Sequence, residues 1–451
     1  MRTIEEINKK IKEGKVVVLT AEEVVNMAKE TSVKEVAKKV DVVTTATFGP
    51  MCSSGAFINF GHTIPPMRME KIKIENVEAY GGIAAVDAFI GATQESENDK
   101  SFGGAHIIEA LIKGKNVYVK AIGKGTDCYP RKHFEGYVNK EMINDFFLFN
   151  PRNAYQNYFA ATNSSDRTLY TYMGKLLPNF GNVTYSTSGE LSPLLKDPKM
   201  LTIGLGTRIF LCGTEGYVVW PGTQYRTDIE ENASGIPIGP ARTLAVIGNA
   251  KNMNPRYIKA AYFKNYGVTL FVGIGVPIPI LNEEVAYYVT RSNEEIETSI
   301  RDYGRPGRPL VRFVTYAELQ SGSVEIAGKK VKTSPLSSLS MAREIASLLK
   351  SWIEEGKFFL TQPAILFSEQ RTLKILSEVK DAEPFKKDEP ECVNCGACVS
   401  LCSFDALVIV NGERIFRPER CVNCLACSDA CPLGVKLPPW KDSTETGTQE
   451  S

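Results

Sequence analysis

Apolar and polar positions sort the first two thirds of the chain into short elements. Residues 3–14 read as helical. Thr20 with Glu23, and Ser32 with Glu35, have the spacing of capping boxes and open two further helices. Val40 to Thr47 is a β-branched run with the character of a buried strand. It leads into Phe48-Gly-Pro-Met-Cys-Ser-Ser-Gly55, a turn-rich loop holding Cys52. A second strand, Asn116 to Ile122, leads into Gly123-Lys-Gly-Thr-Asp-Cys128-Tyr-Pro130. Residues 201–226 and 268–280 are strand-like with glycine punctuation, and Ser338 to Glu354 has the pattern of an amphipathic helix. Strands and helices alternate, so this part is expected to be a large α/β or α+β domain. Val379 to Glu391 is charged, contains two prolines and reads as a linker. Beyond it, Leu407–Val410 and Glu413–Phe416 flank Asn411-Gly412, the signature of a hairpin with a type I′ turn. Residues 441–451 have the composition of a disordered tail. The expected division is a catalytic domain at 1–378, a linker at 379–391, a small α+β domain at 392–437 and the tail.

A chain of 451 residues points to two or three domains. About 380 residues precede the small domain, enough for a large catalytic core. The net charge of +1 gives no global field for nucleic acid or an anionic membrane. Met1 to Lys15 alternates Glu and Lys and lacks the apolar core of a signal peptide. The longest candidate span, Leu270 to Leu281, is interrupted by Pro277 and Pro279 and falls short of a bilayer.

Cysteine changes the picture most. Eight of eleven cysteines fall in two runs, Cys392, Cys395, Cys398, Cys402 and Cys421, Cys424, Cys427, Cys431. Each is C-x2-C-x2-C-x3-C, the spacing of a bacterial-type ferredoxin with two [4Fe–4S] clusters. In that arrangement the fourth cysteine of each run reaches the other cluster. Cys431 is then expected with Cys392, Cys395 and Cys398, and Cys402 with Cys421, Cys424 and Cys427. Structural zinc also uses C-x2-C pairs, but it does not need four-cysteine runs repeated in this way. Ser403 stands where the motif usually has proline, which removes no ligand. Reduced thiolate ligands without a secretion signal place the chain in a reducing cytoplasm.

Three cysteines remain. Cys52 precedes Ser53, Ser54 and Gly55, a loop able to present consecutive N–H groups to an anion. Such a loop favours a thiolate and steadies an oxyanion. Cys128 lies among Lys120, Lys124, Arg131, Lys132 and His133, where positive charge also favours thiolate. Either thiol reads equally as a small buried hydrophobe, and Cys212 in Phe210-Leu-Cys-Gly213 reads mainly as one. His62, His106 and His133 lack partners at metal-ligand spacing. No zinc-protease, nucleophile-elbow, dinucleotide or Walker A motif occurs. The pairs Gly204/Gly206 and Gly273/Gly275 read as tight turns. Arg301, Arg305, Arg308 and Arg312 concentrate in one segment, read as a solvated loop before an acid-binding one.

The Cys52 loop, Gly125-Thr-Asp-Cys-Tyr-Pro-Arg131 and the segment from Gln320 through Glu369 resemble the archaeal homocysteine-biosynthesis sulfurtransferases. The resemblance covers roughly residues 1–378. It implies an aldehyde sulfurtransferase in which Cys52 is the functional thiol and Cys128 a second one. Ser53, Ser54, Arg131 and Lys132 would then bind substrate. One branch of the family carries regulatory-type domains and uses a separate ferredoxin protein. The fused two-cluster ferredoxin instead resembles the methanogenesis marker 16 metalloproteins. That resemblance implies conversion of sulfoacetaldehyde to coenzyme M in a methanogenic archaeon. The alternative within the same chemistry is L-aspartate semialdehyde to homocysteine. An alternative of another class is an electron-transfer subunit of a larger complex. The implied partners are a short anionic aldehyde, sulfide or a persulfide donor, an external electron donor and an accessory sulfur-transfer protein. Neither nucleic acid nor a membrane is expected.

Overall fold

The computed structural model describes residues 2–367 and 369–435. It divides into two compact units, 1–374 and 375–451. The larger unit is a mixed α/β domain built on a 14-stranded sheet and a six-stranded sheet. The expected tail at 441–451, and residues 436–437 of the expected small domain, lie outside the described residues.

The predicted helices form for the reasons their sequences give. Ile4–Lys12 is capped by Thr3 and Glu6 reciprocally, and Ala21–Glu30 by Thr20 and Glu23. Ser32 accepts from Glu35 N–H at the start of Val33–Lys39. The strand read at Val40–Thr47 runs Val42–Pro50, so Phe48, Gly49 and Pro50 belong to the ladder and not to the loop. Its partner is the long strand Gly267–Pro279, in register from Val42↔Pro279 to Pro50↔Phe271. Segment 201–226 breaks into three strands, Gly204–Leu205, Arg208–Leu211 and Thr214–Pro221.

Leu339–Glu354 buries Ala342, Ile345, Ala346, Leu349 and Ile353, one apolar stripe at helical spacing. That stripe lies on the 42–50 and 267–279 strands. Gly273 and Gly275 sit inside the second strand and do not make turns. A Cβ on Gly273 would meet Ile345 at 2.9 Å, and one on Gly275 would meet Ile345 and Leu349 at 3.1 and 3.2 Å. The glycines let the helix approach the sheet, a packing reason invisible in a G-x-G pair.

The six-stranded sheet has its own core, with Val183, Tyr185, Ile296, Ile300, Val314 and Tyr316 buried. No helix among the described residues is long and apolar enough to cross a membrane. In the smaller unit the hairpin pairs Leu407–Val410 with Glu413–Phe416, with Asn411 and Gly412 at φ +51 and +82. The stretch 379–391 has no helix or strand.

Glu109 ties the helix Gly104–Ile112 to the strand Ile258–Phe263. Its carboxylate accepts from Lys113 at 2.5 Å, Lys259 at 2.9 Å and the Ala260 N–H at 3.0 Å. Burial alone would raise this carboxyl, but the two ammonium groups and the N–H hold it below its ordinary 4.5. A depressed folded pKa stabilises the fold above the unfolded value, and the contribution is lost as pH falls through the folded one. Glu109→Gln should therefore lower stability at pH 7 by about 2 kcal/mol, the scale of hydrogen bonds to charged groups. The gap to the native protein should close below pH 4.5. Urea unfolding across pH measures it, and a gap independent of pH would contradict the charge assignment.

Candidate functional site

The two units carry two sites of different character. In the larger unit, Val42–Pro50 ends two residues before Cys52 and the Gly55–Asn59 strand begins three residues after it. The short loop between them is pinned from below. Ser53 Oγ donates to Asn150 Oδ1 and the Arg152 carbonyl at 3.0 Å each. Ser54 Oγ donates to the Met51 carbonyl at 2.8 Å and accepts from Asn150 Nδ2 at 2.9 Å. Both serine hydroxyls thus hold the loop in place. Among the described residues the N–H groups of Cys52 and Ser53 have no acceptor. Cys52 is exposed.

Its thiol opens on a cavity of about 400 Å³ in which both sheets of the larger unit take part. Pro50, Phe263, Tyr266 and Thr269 come from the large sheet and its connections. Arg152 lies near the end of the strand Asp145–Asn153, and Tyr155 and Tyr158 follow it. Tyr172 and Met173 form the turn between Leu169–Thr171 and Gly174–Leu176. Arg308 comes from the loop after Glu297–Asp302. Four phenols and two guanidiniums therefore line the cavity with one exposed thiol, and among the described residues no Asp, Glu, Lys or His lines it. Burial pushes Tyr155 up to about 12 and raises Tyr158 and Tyr266 as well, so these phenols stay neutral.

The arginine segment is dispersed by the fold. Arg308, at φ +45, donates to Tyr172 Oη at 2.8 Å and lies 4.4 Å from the Tyr303 ring centroid. Non-glycine residues held in the left-handed region concentrate where a side chain must be aimed. Arg312 pairs with Glu318, and Arg301 lies over Phe159. Arg308 stays exposed, as a solvated segment expects, while its guanidinium also engages Tyr172 and Tyr303.

Cys128 is also exposed but lies elsewhere. Its loop joins Val117–Ile122 to His133–Val138, and Thr126 and Tyr129 close a turn around it. Gly55 pairs with Gly91 at the Cys52 end of its strand, while Tyr80↔Lys71↔Ile122 marks the other end. From Gly55–Asn59 to Val117–Ile122 is four strand spacings, roughly 19 Å across the ladder. Register and strand order thus keep Cys128 out of the Cys52 cavity. Arg131 and Lys132 stay with it: Arg131 Nε donates to the His133 carbonyl at 2.9 Å.

Cys212 is fully buried at the Cys212-Gly213 turn, φ +50 and +88, between Arg208–Leu211 and Thr214–Pro221. Burial pushes its thiol up to about 12. Of the histidines, His106 accepts from the Gly103 N–H at 3.2 Å as a helix cap, and His62 stacks on Tyr129.

In the smaller unit the eight thiols ring two hollows. One is lined by Cys392, Cys395, Cys398 and Cys431, the other by Cys402, Cys421, Cys424 and Cys427. Apolar side chains fill most of the remaining walls, including Ile409, Leu433, Leu407 and Phe416. Both runs wind alike: Asn394 and Gly396, then Asn423 and Leu425, take positive φ. This left-handed alternation turns successive thiols inward. Backbone N–H groups of Asn394, Ala406 and Val435 donate to Cys392, Cys402 and Cys431 sulfurs at 3.2–3.4 Å. Burial works against thiolate at Cys402, but surrounding N–H groups outweigh it and lower its pKa; N–H donors do the same for Cys431. Arg414 reaches Cys392 Sγ at 3.4 Å. Four sulfurs, apolar walls and N–H donors to sulfur suit [4Fe–4S] clusters.

Comparison with known proteins gives a family for each unit. The family described as homocysteine biosynthesis enzyme, sulfur-incorporation, matches residues 16–360, and a 4Fe-4S dicluster domain matches 385–435. An L-aspartate semialdehyde sulfurtransferase of Methanosarcina acetivorans is 49% identical over 390 residues, covering 86% of this chain and 76% of that protein. The L-aspartate semialdehyde sulfurtransferase of Methanocaldococcus jannaschii is 50% identical over 380 residues, covering 80% and 72%. An uncharacterized protein of Methanothermobacter thermautotrophicus is 28% identical over 333 residues, covering 72% and 73%. No solved structure matches.

The three non-cluster thiols should separate by exposure. With clusters in place, iodoacetamide should label Cys52 and Cys128 in the folded protein and reach Cys212 only on unfolding. Peptide mass spectrometry over time measures this, and early labelling of Cys212 would refute its burial.

Proposed function

Since this chain belongs to the homocysteine biosynthesis, sulfur-incorporation family, we propose that it converts L-aspartate semialdehyde to homocysteine. The carrying observation is an exposed thiol facing two guanidiniums in one cavity, in a chain half identical to two enzymes named for that aldehyde. The order of the two aldehydes expected from sequence is thereby reversed.

The overall change is balanced: aldehyde, sulfide, two electrons and two protons give thiol and water. Cys52 attacks the aldehyde as thiolate, and hydrosulfide then displaces it as a free thiol to leave R–CH(OH)–S⁻. With a persulfide donor Cys52 instead carries the sulfur as Cys52–S–SH, whose release at the thiol level takes two further electrons. The free N–H groups of Cys52 and Ser53 meet the oxyanion formed at the aldehyde carbon. Arg152 and Arg308 hold the anionic head of the substrate. Ser53 and Ser54 act by fixing the loop. Cys128, outside the cavity beside Arg131 and Lys132, is assigned as the thiol that takes sulfur from an external persulfide donor. Cys392, Cys395, Cys398 and Cys431 would hold one [4Fe–4S] cluster, and Cys402, Cys421, Cys424 and Cys427 the second. Each such cluster, when bound, supplies or accepts one electron at a time. The cytoplasm, with its low-potential reductants, suits such thiols.

One observation favours sulfoacetaldehyde as the second reading. Among the described residues the cavity has two cations and no carboxylate to pair an α-ammonium group. A sulfonate needs no such partner.

Anaerobic reconstitution should give about eight iron per chain, and Cys431→Ser about four. With sulfide and a strong one-electron reductant, turnover on L-aspartate semialdehyde should exceed that on sulfoacetaldehyde. Cys52→Ala should abolish thiol formation with iron content unchanged. Preference for the sulfonate aldehyde would promote the second reading, and normal turnover by Cys52→Ala would remove this cavity from the reaction.

A further inference from the structure

Making a thiol from an aldehyde consumes two protons, yet the Cys52 cavity has none of the usual proton donors. Among the described residues its lining includes no carboxylic acid, imidazole or ammonium group. The side-chain protons available there, apart from the Cys52 thiol itself, are chiefly phenolic, on Tyr155, Tyr158, Tyr172 and Tyr266.

These four phenols are not equivalent. Tyr172 is the hub of a hydrogen-bonded cluster: Tyr158 Oη donates to its oxygen at 2.9 Å, Arg308 donates to it at 2.8 Å, and it shares a hydrogen bond of 2.9 Å with Tyr303. Its ring is held edge-on by Tyr158, Tyr303 and Tyr266, at centroid distances of 5.9, 6.0 and 6.2 Å. Tyr303 does not line the Cys52 cavity. It lines a second, more polar cavity of about 420 Å³ with Arg167, Arg305 and Asn265, and Arg308 borders both. The Tyr172–Tyr303 pair therefore bridges the site and a wetter compartment. Burial raises Tyr158 and Tyr303, which keeps both protonated.

We propose that Tyr172 is the general acid of the Cys52 site, reloaded through Tyr303, with Arg308 positioning both phenols. The step it serves is dehydration of the adduct, and the assignment rests on the aldehyde sulfurtransferase reading above. In R–CH(OH)–S⁻ the C–O bond breaks as sulfur forms the C=S bond. Hydroxide leaves poorly and water leaves well, so the Tyr172 proton moves to the departing oxygen. The products are R–CH=S, water and the Tyr172 phenolate, and no electron is exchanged. The Arg308 guanidinium, already donating to that oxygen, balances the charge left there. A proton from Tyr303 then restores the phenol, and solvent in the outer cavity restores Tyr303.

The test is steady-state thiol formation by cluster-loaded protein, with sulfide and excess one-electron reductant so that electrons do not limit. Tyr172→Phe keeps the ring and removes the proton. It should lower kcat by about a hundredfold or more, the scale of general acid catalysis, with KM within about threefold. Tyr303→Phe, which does not touch the Cys52 cavity, should lower kcat less and raise the solvent deuterium isotope effect, since reloading then limits. Unchanged kcat in Tyr172→Phe, or a rise in KM alone, would overturn the assignment and leave the sulfurtransferase reading standing. Native protein that makes no thiol from either aldehyde would instead fell that reading. If Tyr172→Phe does not fold, Tyr303→Phe decides: native kcat and isotope effect would overturn the proposal.

Discussion

The ladder between Val42–Pro50 and Gly267–Pro279 is the constraint on which the catalytic half depends. Every residue from Val42 to Gly49 is buried, and nine consecutive pairs fix the register. A slip of one residue would turn every side chain to the opposite face. The helix Leu339–Glu354 clamps the ladder over two glycines, where a Cβ would press on Ile345 and Leu349. The strand therefore stops at Pro50 in a set place, and Cys52 emerges at a set angle two residues later. The same long strand brings Thr269 to the cavity, and the turn that precedes it brings Tyr266. Packing energy spent far from the thiol is what holds the thiol in position.

The two sites were unequally legible in the chain because they are built over different sequence distances. The cluster unit gathers its eight thiols within forty residues, so spacing alone carries the chemistry. The Cys52 loop was visible through its turn residues, although the strand claims three residues that look loop-like. The rest of the cavity was hidden. Tyr155, Tyr172, Tyr266 and Arg308 are ordinary residues scattered over more than 150 positions, and only long-range strand pairing makes them neighbours. The one hint was the crowd of arginines at 301–312, where composition could not separate Arg308 from partners engaged elsewhere. Cys128 shows the converse. Its basic surroundings resemble those of a reactive thiol, but register sends it to the other end of the sheet.

The difference in construction follows from what each half must do. A cluster ligand set needs a few sulfurs at fixed separations, which a wound segment with alternating left-handed residues provides locally. Electron transfer tolerates a small, exposed host. Activating a carbonyl has other demands. The thiol, the oxyanion donors and the anion-binding cations must converge from different directions, and no single segment can supply them all. A cavity to which both sheets of the larger unit contribute meets that demand.

Reduction of a thioaldehyde also separates two kinds of traffic. The cysteine-rich unit is suited to electrons, with apolar walls and N–H donors around its sulfurs. In the larger unit the Cys52 cavity is lined instead by phenols and guanidiniums. A cavity without carboxylates or imidazoles keeps its field positive, which suits an anionic aldehyde and an attacking sulfur anion. The same field would weaken if a carboxylic acid supplied the proton, because the spent acid would remain as a negative charge at neutral pH. A phenol beside a guanidinium avoids this, since it regains its proton readily once water has left. Anion binding and proton supply are thus satisfied together by one choice of side chains, tyrosine with arginine, and that pairing is what the cavity contains.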